Sequence, residues 1–263
     1  MKPAILILLG AVACLHAAPP HATADELAPG GTLRASFLAG NPVQGRVDAA
    51  TGAVSGPAPE LVAELARQRG LPLKVTPLAG VRAVLDSVKS GAADIGFLAF
   101  DPARAAEVDF SQTYSLAHNT YMVPAASPIR ALADIDKPGI RIGVGQGDAA
   151  DLYLTRTLKS AALLRNPGGS LDEAKRKFET GEIAAYAANR QRLTEAVARM
   201  PGMRLLDENF YAVEQAIIVP KGESARLLIV NQFLDAMRGN GFIRAALDRA
   251  KLTGVDVAPP KPR

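Results

Sequence analysis

The amino-acid sequence predicts an α/β protein built on mostly parallel sheet. Two observations carry that reading. Between residues 32 and 98, short apolar runs alternate with amphipathic stretches in the order strand, helix, strand, helix, strand, and the alternation resumes after Val123. The amphipathic stretches stop at glycine, the residue that commonly ends a helix before the chain turns into a strand.

Residues 32–37 read as the first strand and lead into a loop over 38–43 with Gly40, Asn41 and Pro42 at its centre. Residues 48–56 are polar and hold glycine, so a hairpin or surface loop is expected. Pro59 opens a helix in which Leu61, Val62, Leu65 and Ala66 share a face, and Gly70 ends it. A strand over 73–77 and a helix over 81–90 follow. That helix gathers Val84, Leu85 and Val88 on one side and runs into Gly91, suited to a left-handed turn. Residues 94–98 form a short buried strand that stops at Ala99-Phe100-Asp101-Pro102. Pro102 cannot extend a ladder and suits the first turn of another helix. Arg104 stands two residues further on. Ligands of open α/β sheets sit outside the carboxyl ends of strands, so a permanently charged guanidinium there is a clamp for a carboxylate.

Beyond Val123, strands are expected over 140–144, 162–165 and 183–187, with helices over 149–158, 171–180, 191–199, 224–238 and 242–250. The 171–180 helix places Leu171, Ala174, Lys175 and Phe178 in helical register and ends at Gly181. Residues 88–97 and 178–186 echo each other: amphipathic helix, small hydroxyl residue, glycine, short strand. Two generic αβ units, or two similar lobes that each bring a strand end to a shared cleft, both account for the echo.

Composition narrows the function. The 263 residues hold one cysteine, three histidines and no tryptophan, with a formal charge of +4. The basic residues are scattered, without a run or interleaved aromatics, which argues against nucleic acid. No spacing suits a metal site, and no metal or cofactor is expected. His16 and His21 lie in the leading segment, leaving His118, and no G-x-S-x-G elbow occurs, so hydrolase chemistry of that type is not expected. Gly143-Val144-Gly145-Gln146-Gly147-Asp148 imitates a dinucleotide fingerprint, but Asp148 stands where the third glycine belongs. The strand, turn and helix start there still suggest an anion-receptive nest, with Asp148 or Asp151 as the helix cap and Asp148 favoured.

Residues 1–24 read as a removed export signal: Lys2, an apolar run over 4–15, and Ala22-Thr23-Ala24 before Asp25. The run is too short to span a bilayer comfortably. The mature chain is expected in the periplasm, with a lipid anchor through Cys14 as the alternative to a soluble form.

With these residues assembled, the sequence resembles bacterial extracellular solute-binding protein family 3, the polar amino-acid binding components that feed ABC importers. The resemblance runs from about residue 31 to residue 249. It rests on Lys89-Ser90-Gly91-Ala92-Ala93-Asp94, Asp101-Pro102-Ala103-Arg104 and Val108-Asp109-Phe110-Ser111. Residues 129–135, residues 141–147 and Ala216-Ile217-Ile218-Val219-Pro220-Lys221-Gly222 add to it. It implies a two-lobed periplasmic-binding-protein-like fold of type II, each lobe a mostly parallel sheet flanked by helices. Lobe 1 would take residues 25–115 and return over 215–255, and lobe 2 would take 120–211. Crossings would fall near 115–119 and 212–215, with a tail over 256–263. The implied protein is a monomer that binds a small carboxylate-bearing solute without chemistry and delivers it to an inner-membrane ABC permease. The alternatives are a solute sensor and a cyclohexadienyl dehydratase-like enzyme acting on prephenate or arogenate, for which Glu214 or Asp101 would supply the acid or base.

The resemblance also implies site residues. Arg104 matches the family arginine that pairs with the ligand α-carboxylate. Phe97, Leu98, Ala99 and Asp101 match the strand end that offers backbone groups and a hydroxyl, although Phe97-Leu98-Ala99-Phe100-Asp101 replaces the usual Gly-Met-Thr-x-Thr. Gly147, Asp148 and Ala149 fall at the second lobe's anion site. Asn189 stands where the family often has an aspartate for the ligand ammonium, which weakens the case for a standard α-amino acid. Arg190 beside it would favour a second anionic group, or else be solvated. Asn41 matches a lid position in the first loop. Glu214 and Gln215 lie at the second crossing, where Glu214 would restore the missing negative charge. Tyr114 is expected to pack at the hinge.

Overall fold

The computed structural model describes residues 26–252 and 254–260. The expected export signal, with Cys14, lies outside them. In chain order the first half runs β1 (Leu33–Leu38), a hairpin of β2 (Arg46–Val47) and β3 (Val54–Ser55), α1 (Pro57–Arg69), β4 (Leu73–Leu78), α2 (Val81–Lys89), β5 (Ile95–Ala99), α3 (Pro102–Ala105) and β6 (Val108–Phe110). The long strand β7 (Ser115–Pro124) crosses into the second half. There follow a 3-10 turn (Leu132–Asp134), β8 (Arg141–Gly145), α4 (Ala149–Thr157), β9 (Ala162–Asn166), α5 (Leu171–Glu179), β10 (Ala185–Asn189), α6 (Arg190–Arg199) and β11 (Met203–Leu205). Strand β12 (Tyr211–Pro220) crosses back, and α7 (Ser224–Gly239), α8 (Phe242–Arg249) and β13 (Asp256–Val257) complete the first half.

The strand order is β4-β1-β5-β12-β7-β10-β8-β9. Each half contributes a parallel triplet with its first strand in the middle, β4-β1-β5 and β9-β8-β10. Between them β12 and β7 run antiparallel, paired from Tyr211 opposite Asn119 to Gln215 opposite Ser115.

The echo seen in the sequence is a structural repeat. Ser90 and Thr180 end their helices with N–H bonds to Asp86 O and Arg176 O. Gly91 and Gly181 then take φ values of 74° and 68°, a left-handed turn that costs glycine nothing sterically. Ala93 N–H returns to Ser87 O and Ile183 N–H to Lys177 O before β5 and β10 begin. Those two returns explain why β10 starts at Ala185, two residues later than expected. Helix α1 begins two residues earlier than Pro59, because Gly56 occupies its N-cap at φ 113° and Pro57 its first turn.

The period of two in the strands sorts the core into layers. Phe97 and Ile217 face α1, α7 and α8 in one cluster with Leu61, Leu65, Phe233 and Leu234. Leu98 and Ile218 face α2 in another with Val84, Leu85 and Val88. In the second half Tyr121, Val144 and Ala187 pack on Leu154 of α4, while Met122, Tyr186 and Ala188 pack on Ala174 of α5 and Leu193 of α6. At the tip of the first half, Asp94 accepts from Arg34 N–H at 2.8 Å and pairs with its guanidinium at 2.6 Å, fixing the start of β5 beside β1.

Residues 256–257, expected to open a tail, instead pair with Leu116 and Ser115 of β7. Among the described residues, no helix is long and apolar enough to cross a membrane.

Candidate functional site

The carboxyl ends of β1, β5, β8 and β10 converge on one cleft of about 170 Å³ between the halves. That is below the roughly 300–1,000 Å³ of a drug-sized pocket and suits a small solute. Leu38, Asn41, Gln44, Leu98, Ala99 and Arg104 line it from the first half, and Gln146, Asp148, Ala149, Ala188, Asn189 and Arg192 from the second. Asn119 and Gln215 come from the crossing strands.

Arg104 is 5 % exposed and spans the gap. Its Nη1 donates to Ala99 O at 2.7 Å and its Nη2 to Gly147 O at 2.6 Å. Burial lowers its pKa from the usual value, with Asp101 and Asp148 acting in the opposite sense; a guanidinium keeps its charge regardless. Asp148 faces it from the start of α4, 3.6 Å from Arg192, and burial raises its carboxyl pKa against the pull of both arginines.

Eight of the twelve residues expected at the site line the cleft: Asn41, Leu98, Ala99, Arg104, Asp148, Ala149, Asn189 and Gln215. Four do not. Phe97 is turned by the strand alternation into the core, with its ring edge-on to buried Tyr114 at 6.1 Å. Asp101 is spent on the first turn of α3, where it accepts from Ala103 N–H at 2.9 Å, and on Arg156 at 2.8 Å. Gly147 enters only through the carbonyl that Arg104 holds. Glu214 projects away, accepting from Thr113 Oγ1 at 2.6 Å. The two carboxylates named for dehydratase chemistry therefore stand outside the lining.

Two further expectations change. Asp148 sits at the N-cap position of α4 but makes no side-chain cap bond. Asp151 instead accepts Gly147 N–H at 2.9 Å and is held by Arg165. The expected nest in this turn is filled by the protein, since Gln146 N–H goes to Asn166 O and Asp148 N–H to Gly145 O. Arg190 binds Asn209 and the carbonyls of Leu206, Asp207 and Glu208, outside the lining.

Sequence reasoning misses Gln44, Asn119, Gln146 and Arg192. Arg192 is three residues past Asn189, one helical turn on the same face of α6, and that spacing is the signal that could have found it. Its guanidinium donates to Gly169 O beside the cleft.

A family model for bacterial extracellular solute-binding proteins, family 3, matches residues 39–250. No curated protein matches the chain. Among solved structures it is similar to an ancestral arginine-binding protein bound to arginine, with a TM-score of 0.71 and 23% identity over 83% of this chain and 97% of that one. It is similar to an amino acid ABC transporter substrate-binding protein from Streptococcus pneumoniae bound to L-arginine, with a TM-score of 0.70 and 19% identity over 84% and 94%. An ancestral amino acid-binding protein, a precursor of cyclohexadienyl dehydratase, gives a TM-score of 0.69 and 22% identity over 83% and 94%. At such identities the likeness is one of fold, that of type II periplasmic binding proteins.

Proposed function

Because the chain belongs to the bacterial extracellular solute-binding proteins, family 3, we propose that it is the periplasmic solute-binding component of an ABC importer and takes a small carboxylate-bearing solute between two lobes. The carrying observation is Arg104, nearly buried in the cleft, with only two of its N–H groups occupied by carbonyls. A guanidinium has five such donors in a planar fork, so three remain to meet a carboxylate. Lobe 1 takes residues up to about 115 and again from about 215, lobe 2 takes 120–211, and the paired strands β7 and β12 are the hinge. Closure buries the solute, and the closed form docks on the inner-membrane permease. The cleft is complete within one chain, so a monomer suffices.

Two of the similar proteins hold arginine, whose α-carboxylate is the part of a ligand that Arg104 would meet. Turnover is the weaker reading, since Asp101 and Glu214 are engaged elsewhere.

A thermal-shift screen over amino acids, dicarboxylates and aromatic acids tests the proposal. A solute at a hundred times its Kd adds about 2.7 kcal/mol, or roughly 5–10 °C for a chain of this size. Arg104→Ala should abolish the shift while the unliganded protein stays folded. A screen in which nothing raises the melting temperature would overturn the reading.

A further inference from the structure

The class of solute follows from which hydrogen-bonding groups the protein has already used, given that the cleft is a solute site. Asn41 Oδ1 accepts Val43 N–H at 3.2 Å, Gln44 Oε1 accepts Leu38 N–H at 2.9 Å, and Asn189 Oδ1 accepts Gln191 N–H at 3.0 Å and Arg192 N–H at 3.4 Å. A backbone N–H can only donate, so each of these carboxamides must present its oxygen to the protein. The constraint then propagates. With its oxygen fixed, Gln44 donates through Nε2 to Gln215 Oε1 at 3.3 Å, and Gln215 is left with its NH2 group.

The backbone shows the same bias. The carbonyls of Ala99 and Gly147 are taken by Arg104, and that of Gly169 by Arg192. The one acid in the lining, Asp148, has the Arg192 guanidinium beside it. What remains to meet a solute is mostly donors: the NH2 groups of Asn41, Asn189 and Gln215, and the rest of the Arg104 and Arg192 forks, with the Asp148 carboxylate as the acidic exception. The first-turn N–H groups of α4 at Ala149 and Ala150, which have no intrahelical acceptor, point the same way. Asn119 and Gln146 are neutral carboxamides that match a hydroxyl or a carbonyl as readily as a donor.

A ligand ammonium brings donors of its own and meets few acceptors here: the Asp148 carboxylate, which Arg192 offsets, and the oxygens of Asn119 and Gln146. We propose that the solute is a small acceptor-rich dianion without an ammonium group, a dicarboxylate or hydroxy-dicarboxylate, rather than a zwitterionic amino acid. One carboxylate meets Arg104 on the first half and the other meets Arg192 and the start of α4 on the second. The two arginines against one acid leave the lining with net positive charge, in keeping with a dianion.

Isothermal titration with matched acids that differ in one substituent tests this: succinate, malate and aspartate, then glutarate, 2-hydroxyglutarate and glutamate. The deaminated or hydroxy acid should bind at least roughly tenfold tighter than its amino counterpart, the worth of one charge-assisted hydrogen bond. Asn189→Asp provides a second arm. Aspartate caps a helix as well as asparagine, so Gln191 N–H keeps its acceptor while the cleft loses an NH2 and gains a carboxylate oxygen. That variant should bind the hydroxy acid at least roughly tenfold more weakly, with the melting temperature of the unliganded protein unchanged. An amino acid that binds as tightly as its hydroxy counterpart, or an Asn189→Asp variant with unaltered affinity, would overturn the inference and leave solute binding intact. Silence from both series and from every amino acid would overturn both.

Discussion

Asp101 and Arg156 form an ion pair of 2.8 Å that joins the two halves of the molecule. Asp101 is almost wholly buried at the end of β5, whereas Arg156 reaches over from α4 and is half exposed. This pair and the bond from Arg104 to Gly147 O both have to break before the halves can part. A pair with one solvated partner is worth about 1 kcal/mol. Arg156→Ala should therefore shift the unliganded population toward the open form and weaken solute binding roughly fivefold. Small-angle scattering should report a larger radius of gyration, and titration should report the affinity. A variant with both quantities unchanged would remove this pair from the energetics of closure.

Arg104→Lys separates charge from geometry. Lysine keeps the positive charge but gathers its three donors on one compact nitrogen in place of a planar fork. It cannot hold Ala99 O, Gly147 O and a carboxylate together, so about 1.5–3 kcal/mol of binding should be lost. Calorimetry would show the loss in enthalpy. Wild-type affinity in this variant would mean that the fork is not used.

Gly145 is needed for space. A Cβ there would lie 2.2 Å from Asp148 Oδ2 and 3.3 Å from Gly169 Cα. Gly145→Ala should cost about 1–3 kcal/mol in urea unfolding and force the Asp148 carboxylate further into the cleft, weakening anion binding. Combining it with Asp148→Ala should recover most of the stability. Equal losses in the single and double variants would place the strain elsewhere.

Acid should destabilise the fold in a defined window. Hydrogen bonds from Arg67 and Gln68 hold the Glu64 carboxyl at about 2 instead of 4.5. Lys137, with the backbone N–H groups of Arg130 and Ala131, holds Asp134 at about 2 instead of 3.8. Both pKa values are depressed in the folded state, so the unfolded chain takes up these protons first. Their contribution is full above the unfolded values and is lost as the pH falls through 4.5 toward 2. The urea midpoint should drop across that window, and less steeply in Glu64→Gln and Asp134→Asn. A midpoint equally steep in both variants would contradict the assignment.

The parallel triplets are legible in the sequence because their helices announce their ends: Gly70, Gly91 and Gly181 each fall where a helix stops. The crossing strands are not. Ser115, His118, Asn119 and Thr120 break any clean alternation in β7, and its partner β12 lies almost a hundred residues away, so nothing local marks either as a ten-residue strand. Within the cleft, Arg104 is legible because it stands in the short helix just past the end of β5, and Asn189 because it matches the position where the family often has an aspartate. Phe97 is misread because a one-residue step along a strand exchanges the two faces of the sheet. Asp101 is misread because its partner Arg156 comes from the other half.

No slack polypeptide joins the two halves where β7 and β12 pass between them, since the ladder is in register through the whole passage. Any relative rotation of the halves would therefore have to twist a two-stranded ribbon while its rungs stay made. The short β13 is clipped to the same ribbon at Ser115 and Leu116, so a twist there would have to carry this third strand with it.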